Sequence, residues 1–145
     1  MKGYNKSFLT LFLATILLTF VSCEKVKQQV QETVAEDLIV TIMTSGRWIV
    51  DVFNVAAVDV KSEFTGYEFQ FLKDGSVEAI KSTTTVKGTW KSDKTAMTIQ
   101  ASFPPGNTSL LRLNYTWNIT KSGTSFVEAR SEQNGAISTM RLNKK

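Results

Sequence analysis

Ser45-Gly46-Arg47-Trp48-Ile49-Val50-Asp51-Val52-Phe53 is the stretch at which the spacing of the apolar residues changes. Before it, apolar residues recur about every four positions, as on one face of a helix. After it, they alternate with polar residues, as on a half-buried strand. Within it, Trp48, Val50 and Val52 share one face of the predicted strand, whereas Ile49, Asp51 and Phe53 share the other. The stretch is therefore predicted to be the first strand of an all-β domain.

Seven further strands are predicted beyond this stretch, each with one apolar and one polar face. Turn-forming sequences separate several of them, including Lys73-Asp74-Gly75-Ser76 and Asn134-Gly135. The predicted strands cover residues 67–71, 77–82, 84–91, 97–103, 111–119, 125–131 and 136–143. Residues 54–63 are too long for a tight hairpin and are expected to cross an end of the domain. Eight such strands are typical of an antiparallel sandwich or closed barrel, with room for packed side chains or one small ligand.

A helix is predicted before the first strand. Val26, Val30, Val34, Leu38 and Ile42 recur every four residues, and Thr44-Ser45-Gly46 is a suitable end. Its last part, residues 38–43, is rich in β-branched residues and could be extended instead. Residues 24–44 could form a helix packed on the domain, a partner-binding helix near a membrane, or a flexible tether.

The first 23 residues carry a targeting signal. Lys2 and Lys6 precede an apolar run from Phe8 to Val21, and about 14 residues are too few to span a bilayer. The run ends in Phe20-Val21-Ser22-Cys23, which resembles a bacterial lipobox. The resemblance implies that Cys23 is lipidated and becomes the N-terminus; the alternatives are an ordinary signal peptide with a chance cysteine, or a signal anchor. The predicted organisation is a signal peptide at 1–22, lipidated Cys23 plus helix or tether at 23–45, and a β-barrel domain at 46–145.

The composition argues against catalysis and nucleic-acid binding. The 145-residue chain has no histidine and one cysteine, so it lacks the commonest general base and metal ligand. The net charge of +4 falls to +2 without Lys2 and Lys6, which is too weak and too interspersed for a nucleic-acid face. We expect no enzyme activity, no metal, no cofactor and no nucleic-acid partner, and a monomer.

Four stretches of the sequence resemble a known family. Gly46-Arg47-Trp48 resembles the Gly-x-Trp start of the lipocalin fold. The run Phe64-Thr65-Gly66-Tyr67-Glu68-Phe69-Gln70-Phe71-Leu72-Lys73-Asp74-Gly75-Ser76-Val77, with Val86-Lys87-Gly88-Thr89-Trp90 and the terminal Met140-Arg141-Leu142-Asn143-Lys144-Lys145, is similar to the lipocalin-like domain of small Gram-negative lipoproteins. The resemblance covers roughly residues 45–145. It implies an eight-stranded antiparallel up-and-down barrel preceded by an N-terminal helix, and it supplies no catalytic residues.

The candidate site lies inside this barrel. Its candidate ligand contacts are Tyr67, Phe69, Phe71, Trp90, Leu113, Tyr115 and Trp117. These side chains either fill the interior or, in a wider barrel, line a pocket. The resemblance implies that Trp48 plugs the closed end, the alternative being a ligand contact. Arg141 is the second candidate plug residue: it could lie over the face of Trp48 in a cation–π contact, or be a solvated strand residue.

Two functions are predicted from these residues. The first is a membrane-anchored lipocalin-like lipoprotein of the outer membrane, facing the periplasm or the cell surface, which binds a small hydrophobic or amphipathic ligand. The alternative is a filled barrel that acts as a structural or interaction module of the cell envelope, with loops 54–63 and 103–109 as its contact surfaces.

Overall fold

The computed structural model describes residues 38–145. The predicted signal peptide, Cys23 and residues 24–37 lie outside the described residues. Residues 38–44 form helix α1, so this part is helical rather than extended. The strands are β1 (Arg47–Val55), β2 (Val58–Asp59), β3 (Tyr67–Phe71), β4 (Ser76–Lys81), β5 (Thr84–Asp93), β6 (Thr98–Ser102), β7 (Thr116–Ser122), β8 (Phe126–Gln133) and β9 (Ala136–Lys144), with a 3₁₀ helix at Lys61–Phe64 and helix α2 at Thr108–Leu111.

The strands form a closed antiparallel barrel. Each of the eight main strands, β1 and β3–β9, pairs with the next along the chain, and β9 pairs back with β1. The two-residue strand β2 pairs only with the far end of β1. The predicted fold class, an eight-stranded up-and-down barrel preceded by a helix, is confirmed.

In an up-and-down barrel, alternate connections lie at the same end. The entry end carries α1 and the connections at 72–75, 94–97 and 123–125, because β1 begins there and β9 ends there. The loop end carries the connections at 56–66, 82–83, 103–115 and 134–135. The two longest connections, which contain the 3₁₀ helix and α2, therefore share the loop end.

A β-bulge changes which face of β1 is buried. Val50 lies opposite Leu142 and Val52 lies opposite Arg141, so Asp51 is the extra residue. Alternation restarts beyond Asp51: Phe53 is fully buried, whereas Val52 is 39% exposed. The prediction that Val52 shares a face with Trp48 and Val50 is wrong for this reason.

The predicted strand at 111–119 is also wrong in its first half. Residues 108–111 form α2, and β7 begins only at Thr116. The side chain of Asn107 caps α2 by accepting a hydrogen bond from the backbone N–H of Leu110 at 3.2 Å. Fully buried Leu110 then covers the loop end of the core. Asparagine after Pro104-Pro105-Gly106 is a recognisable helix-start signal, so this helix could have been predicted.

Candidate functional site

The interior of the barrel is nearly full. The rings of Phe53 and Phe64 stack at 4.8 Å between centroids, and Trp117 meets the Phe53 ring edge-on at 5.4 Å. An apolar cavity of about 30 Å³ lies among the described core residues, with room for one or two water molecules. Pockets for drug-sized ligands measure roughly 300–1,000 Å³. This cavity is therefore too small for a ligand the size of a fatty acid.

The seven candidate ligand contacts do not form one site. Phe69, Phe71, Leu113 and Trp117 line the small cavity. Tyr67 and Trp90 are buried in the barrel core, and the indole N–H of Trp90 donates to the carbonyl of Leu72 at 2.8 Å. Tyr115 is 40% exposed, because the loop after α2 turns it outward. Six of the seven side chains thus pack in the barrel core, and Tyr115 lies on the surface.

Helix α1 closes the entry end. Its Ile39 and Met43 are buried in the core, and Met43 lines the cavity. Trp48 has no exposed surface, and its indole N–H donates to the carbonyl of Met43 at 2.8 Å. The helix is therefore held both by apolar packing and by a buried hydrogen bond.

Arg141 does not contact Trp48. Its guanidinium lies on the outer wall, 4.6 Å from the ring centroid of Phe126, and pairs with Glu128 at 2.6 Å. Trp48 is paired with Lys144, three residues further along β9. Arg141 thus makes its cation–π contact with Phe126 and does not form a barrel plug with Trp48.

A bidentate ion pair joins the two long connections at the loop end. Arg112 donates from Nε and Nη2 to Glu63 at 2.8 and 3.0 Å, and this contact holds the pKa of Arg112 above its ordinary value. Asn107 also donates to the hydroxyl of Tyr67 at 2.5 Å. These contacts link the 3₁₀ helix and α2, so the loop end presents one continuous surface.

Apolar side chains are exposed on this surface. Leu111, Tyr115 and Val55 line one shallow depression, and Ala56, Ala57 and Ile137 line a second. The depressions adjoin because Val55 pairs with Ser138 and the N–H of Ala56 donates to the carbonyl of Ile137 at 2.9 Å. We define the apolar rim as Val55, Ala56, Ala57, Val58, Leu111, Tyr115 and Ile137. Most of the rim could not be predicted from the sequence, because the alternation of apolar and polar residues does not indicate which apolar side chains at a strand end are exposed.

The turn between β1 and β2 is strained. Ala56 and Ala57 both have positive φ, 48° and 66°, in a two-residue hairpin of a kind that favours Asn-Gly. An alanine in this region costs roughly 1–2 kcal/mol relative to right-handed backbone. The strained turn exposes the methyl groups of Ala56 and Ala57 within the apolar rim. Backbone strain of this kind is common at functional sites.

Two carboxylates at the entry end, Glu68 and Asp74, make the stability of the fold depend on pH in the acidic range. The hydrogen bond from Lys145, followed by that from Arg47, lowers the pKa of Glu68. Asp74 accepts hydrogen bonds from the hydroxyl and the N–H of Ser76, which lower its pKa. A carboxyl whose pKa is lower in the folded state stabilises the protein above its unfolded pKa and loses this contribution as the pH falls through the folded value.

We expect stability to change little between pH 5 and 8, since the chain has no histidine, and to fall below about pH 4.5. Glu68→Gln is expected to be less stable than wild type at pH 7 and to lose less stability between pH 5 and 3. Thermal unfolding across this range, followed by circular dichroism, measures both. Glu132→Gln, at the opposite end, is the control. Equal acid losses in wild type and Glu68→Gln would contradict the prediction.

Within residues 38–145, no three or more acidic, cysteine or histidine residues are grouped as a metal ion would require. No helix in the same part of the chain is both long and apolar enough to cross a bilayer.

The comparisons with known proteins concern the fold. Neither a scan against protein-family models nor a search of curated proteins finds a match for this chain. Among solved structures, the chain is similar to the crystal structure of a DUF4847 family protein from Bacteroides vulgatus ATCC 8482. The two share 18% sequence identity and a TM-score of 0.55 over 74% of this chain and 97% of the other. At this identity the likeness shows a shared barrel fold and carries no function across.

Proposed function

We propose that this protein is a lipocalin-like lipoprotein of the bacterial outer membrane, whose filled barrel is an interaction module that presents the apolar rim to a partner. The observation that carries the proposal is the cavity of about 30 Å³. A barrel without ligand space can still act through its outer surface, and the rim is an apolar part of that surface.

Several features favour the rim as the contact surface. Val58 is 63% exposed, Ile137 45% and Tyr115 40%. Tyrosine is enriched among the residues that supply most of the binding energy at protein interfaces, and the buried centre of an interface is more apolar than its edge. The Arg112–Glu63 pair holds the neighbouring loops in place, which lowers the ordering cost of binding.

The proposed anchor is an acylated Cys23. The lipobox-like sequence supports it, and several acyl chains on one residue hold a protein to a bilayer far more firmly than one chain. Cys23→Ala is expected to move the protein from the membrane fraction to the soluble fraction. Its retention in membranes would contradict the anchor.

The rim can be tested by photo-crosslinking in intact cells. A photoreactive amino acid at Ile137 should yield a discrete crosslinked species, whereas the same group at Ile49, on the outer wall and 38% exposed, should not. Tyr115→Ser combined with Val58→Thr should abolish that species, since both changes remove exposed apolar surface without touching the core.

A further variant separates rim chemistry from folding. Ala56→Asn with Ala57→Gly relieves the turn strain and removes rim methyl groups, so weaker crosslinking in this variant cannot result from unfolding. Identical crosslinks from positions 137 and 49 would contradict the proposed interface.

The ligand-binding alternative predicts a different result. A ligand inside the barrel would have to displace side chains that line the small cavity, Met43 of α1 among them. Purified protein is therefore expected not to take up fatty acids or an environment-sensitive apolar dye. Saturable uptake with one site per chain would overturn the filled-barrel proposal.

A further inference from the structure

The positive charge of the described chain is concentrated at the entry end. Seven cationic residues and three carboxylates lie at or near this end. Two ion pairs, Lys87–Glu78 and Arg141–Glu128, lie midway along the barrel, close to the level of Glu68 and Lys121. The rest of residues 38–145 carries four charges of each sign. The lysines at this end are Lys73, Lys91, Lys94, Lys121, Lys144 and Lys145. Each connection at this end thus has a lysine in it or close to it, so positive charges surround the entry end of the barrel. We call these six lysines the basic ring.

The carboxylates at this end are already engaged. Glu68 accepts from Arg47 and Lys145, and Asp93 accepts from the N–H groups of Thr95 and Ala96 at 2.9 Å. Asp74 accepts from Ser76. Within residues 38–145, exposed Lys73, Lys91 and Lys121 form no ion pair. The ammonium groups of Lys73 and Lys91 are free to meet an external anion, and that of Lys121, 5.7 Å from the ring centroid of Phe126, is also on the exposed surface.

The chain itself leads from this end towards the proposed anchor. Only 14 residues separate Cys23 from Leu38, and that length of chain reaches at most about 50 Å even when fully extended. Leu38 is 55% exposed on α1, which crosses the same end. A lipid anchor on Cys23 would therefore hold the basic ring, with an exposed leucine on it, close to the bilayer.

We propose that the entry end rests on an anionic lipid surface and that the apolar rim consequently points away from the membrane. This inference depends on the lipid anchor proposed above. Clustered lysines near a bilayer are attracted to anionic headgroups, and the attraction is lost at high salt. The partner of the entry end in this proposal is the headgroup layer of the membrane in which the protein is anchored.

The lipidated full-length protein in vesicles tests this orientation. Its native cysteine is acylated, so a fluorophore attaches only to an introduced cysteine. Thr95→Cys places it in an exposed entry-end turn and Thr83→Cys in an exposed loop-end turn. With phosphatidylglycerol in the vesicles, spin-labelled headgroups should quench the dye at position 95 at least about twofold more than at position 83, and high salt should remove the difference.

Matched charge variants identify the surface responsible. Lys73→Gln, Lys91→Gln and Lys121→Gln together should abolish the dependence on phosphatidylglycerol. Lys61→Gln, Lys81→Gln and Arg130→Gln, which change the net charge equally but lie in or near the loop-end connections, should preserve it. Equal quenching at both labels, or the same difference in phosphatidylcholine alone, would overturn the orientation. Protein that does not float with vesicles at all would instead contradict the lipid anchor.

Discussion

Trp48→Ala is expected to lower the free energy of unfolding by about 3–5 kcal/mol, a large share of the roughly 5–15 kcal/mol that stabilises a domain of this kind. The indole is fully buried, so its removal leaves a large cavity beneath α1. It also leaves the buried carbonyl of Met43 without its 2.8 Å donor. Urea unfolding measures the loss as a lower midpoint at unchanged slope.

Trp48→Phe separates packing from the hydrogen bond. It keeps most of the apolar volume but removes the indole N–H, and we expect a loss of about 1–3 kcal/mol, with faster amide exchange in α1. Ile49→Ala, on the outer face of the same strand, is the control and should cost less than about 1 kcal/mol. Equal losses at positions 48 and 49 would show that Trp48 does not secure the entry end.

Gly88→Ala is expected to destabilise the protein by about 1–3 kcal/mol, and Gly88→Val by more. A Cβ atom at this position would lie 2.5 Å from the carbonyl oxygen of Ser102 and 2.9 Å from the ring of Phe103. Ser102 belongs to β6, which pairs with β5 here, so relieving the clash requires the two strands to move apart. Thermal and urea unfolding of purified variants measure the cost.

Gly46→Ala is the matched comparison. Its Cβ would lie 2.8 Å from Cε of Lys144, the far end of a flexible side chain that can rotate away. We expect a change within about 0.5 kcal/mol, because the alanine also reduces the freedom of the unfolded chain. Packing of the barrel thus favours glycine in Gly-Thr-Trp, whereas alanine can replace the glycine of Gly-x-Trp. The reverse order of effects would contradict this assignment.

The local elements follow from sequence where residue chemistry acts over a few positions. The Gly-Tyr-x-Phe-x-Phe strand, the Asp-Gly turn after Leu72 and the end of α1 near Ser45 lie where alternation and turn residues predict them. One missed element, α2, carried a usable signal in the Asn107 cap. The alanine turn at 56–57 carried none, because alanine rarely adopts positive φ.

The face of a strand beyond a bulge could not be predicted from alternation. Asp51 adds one residue to β1, and as a result the side chain of Phe53, rather than that of Val52, points into the core. A bulge depends on the partner strand, here β9, nearly 90 residues away in sequence. Local pattern contains no information about that partner.

The sequence by itself determined an all-β domain of alternating strands after a helix, because side-chain direction along a strand depends only on neighbouring residues. Only the tertiary structure decided that the interior is full, since residual volume depends on how rings such as Phe53, Phe64 and Trp117 meet across the barrel. It also decided where charge and apolar surface lie. Lysines dispersed from position 73 to position 145 appear interspersed along the chain, yet closure of an up-and-down barrel brings them to one end and places the apolar rim at the other.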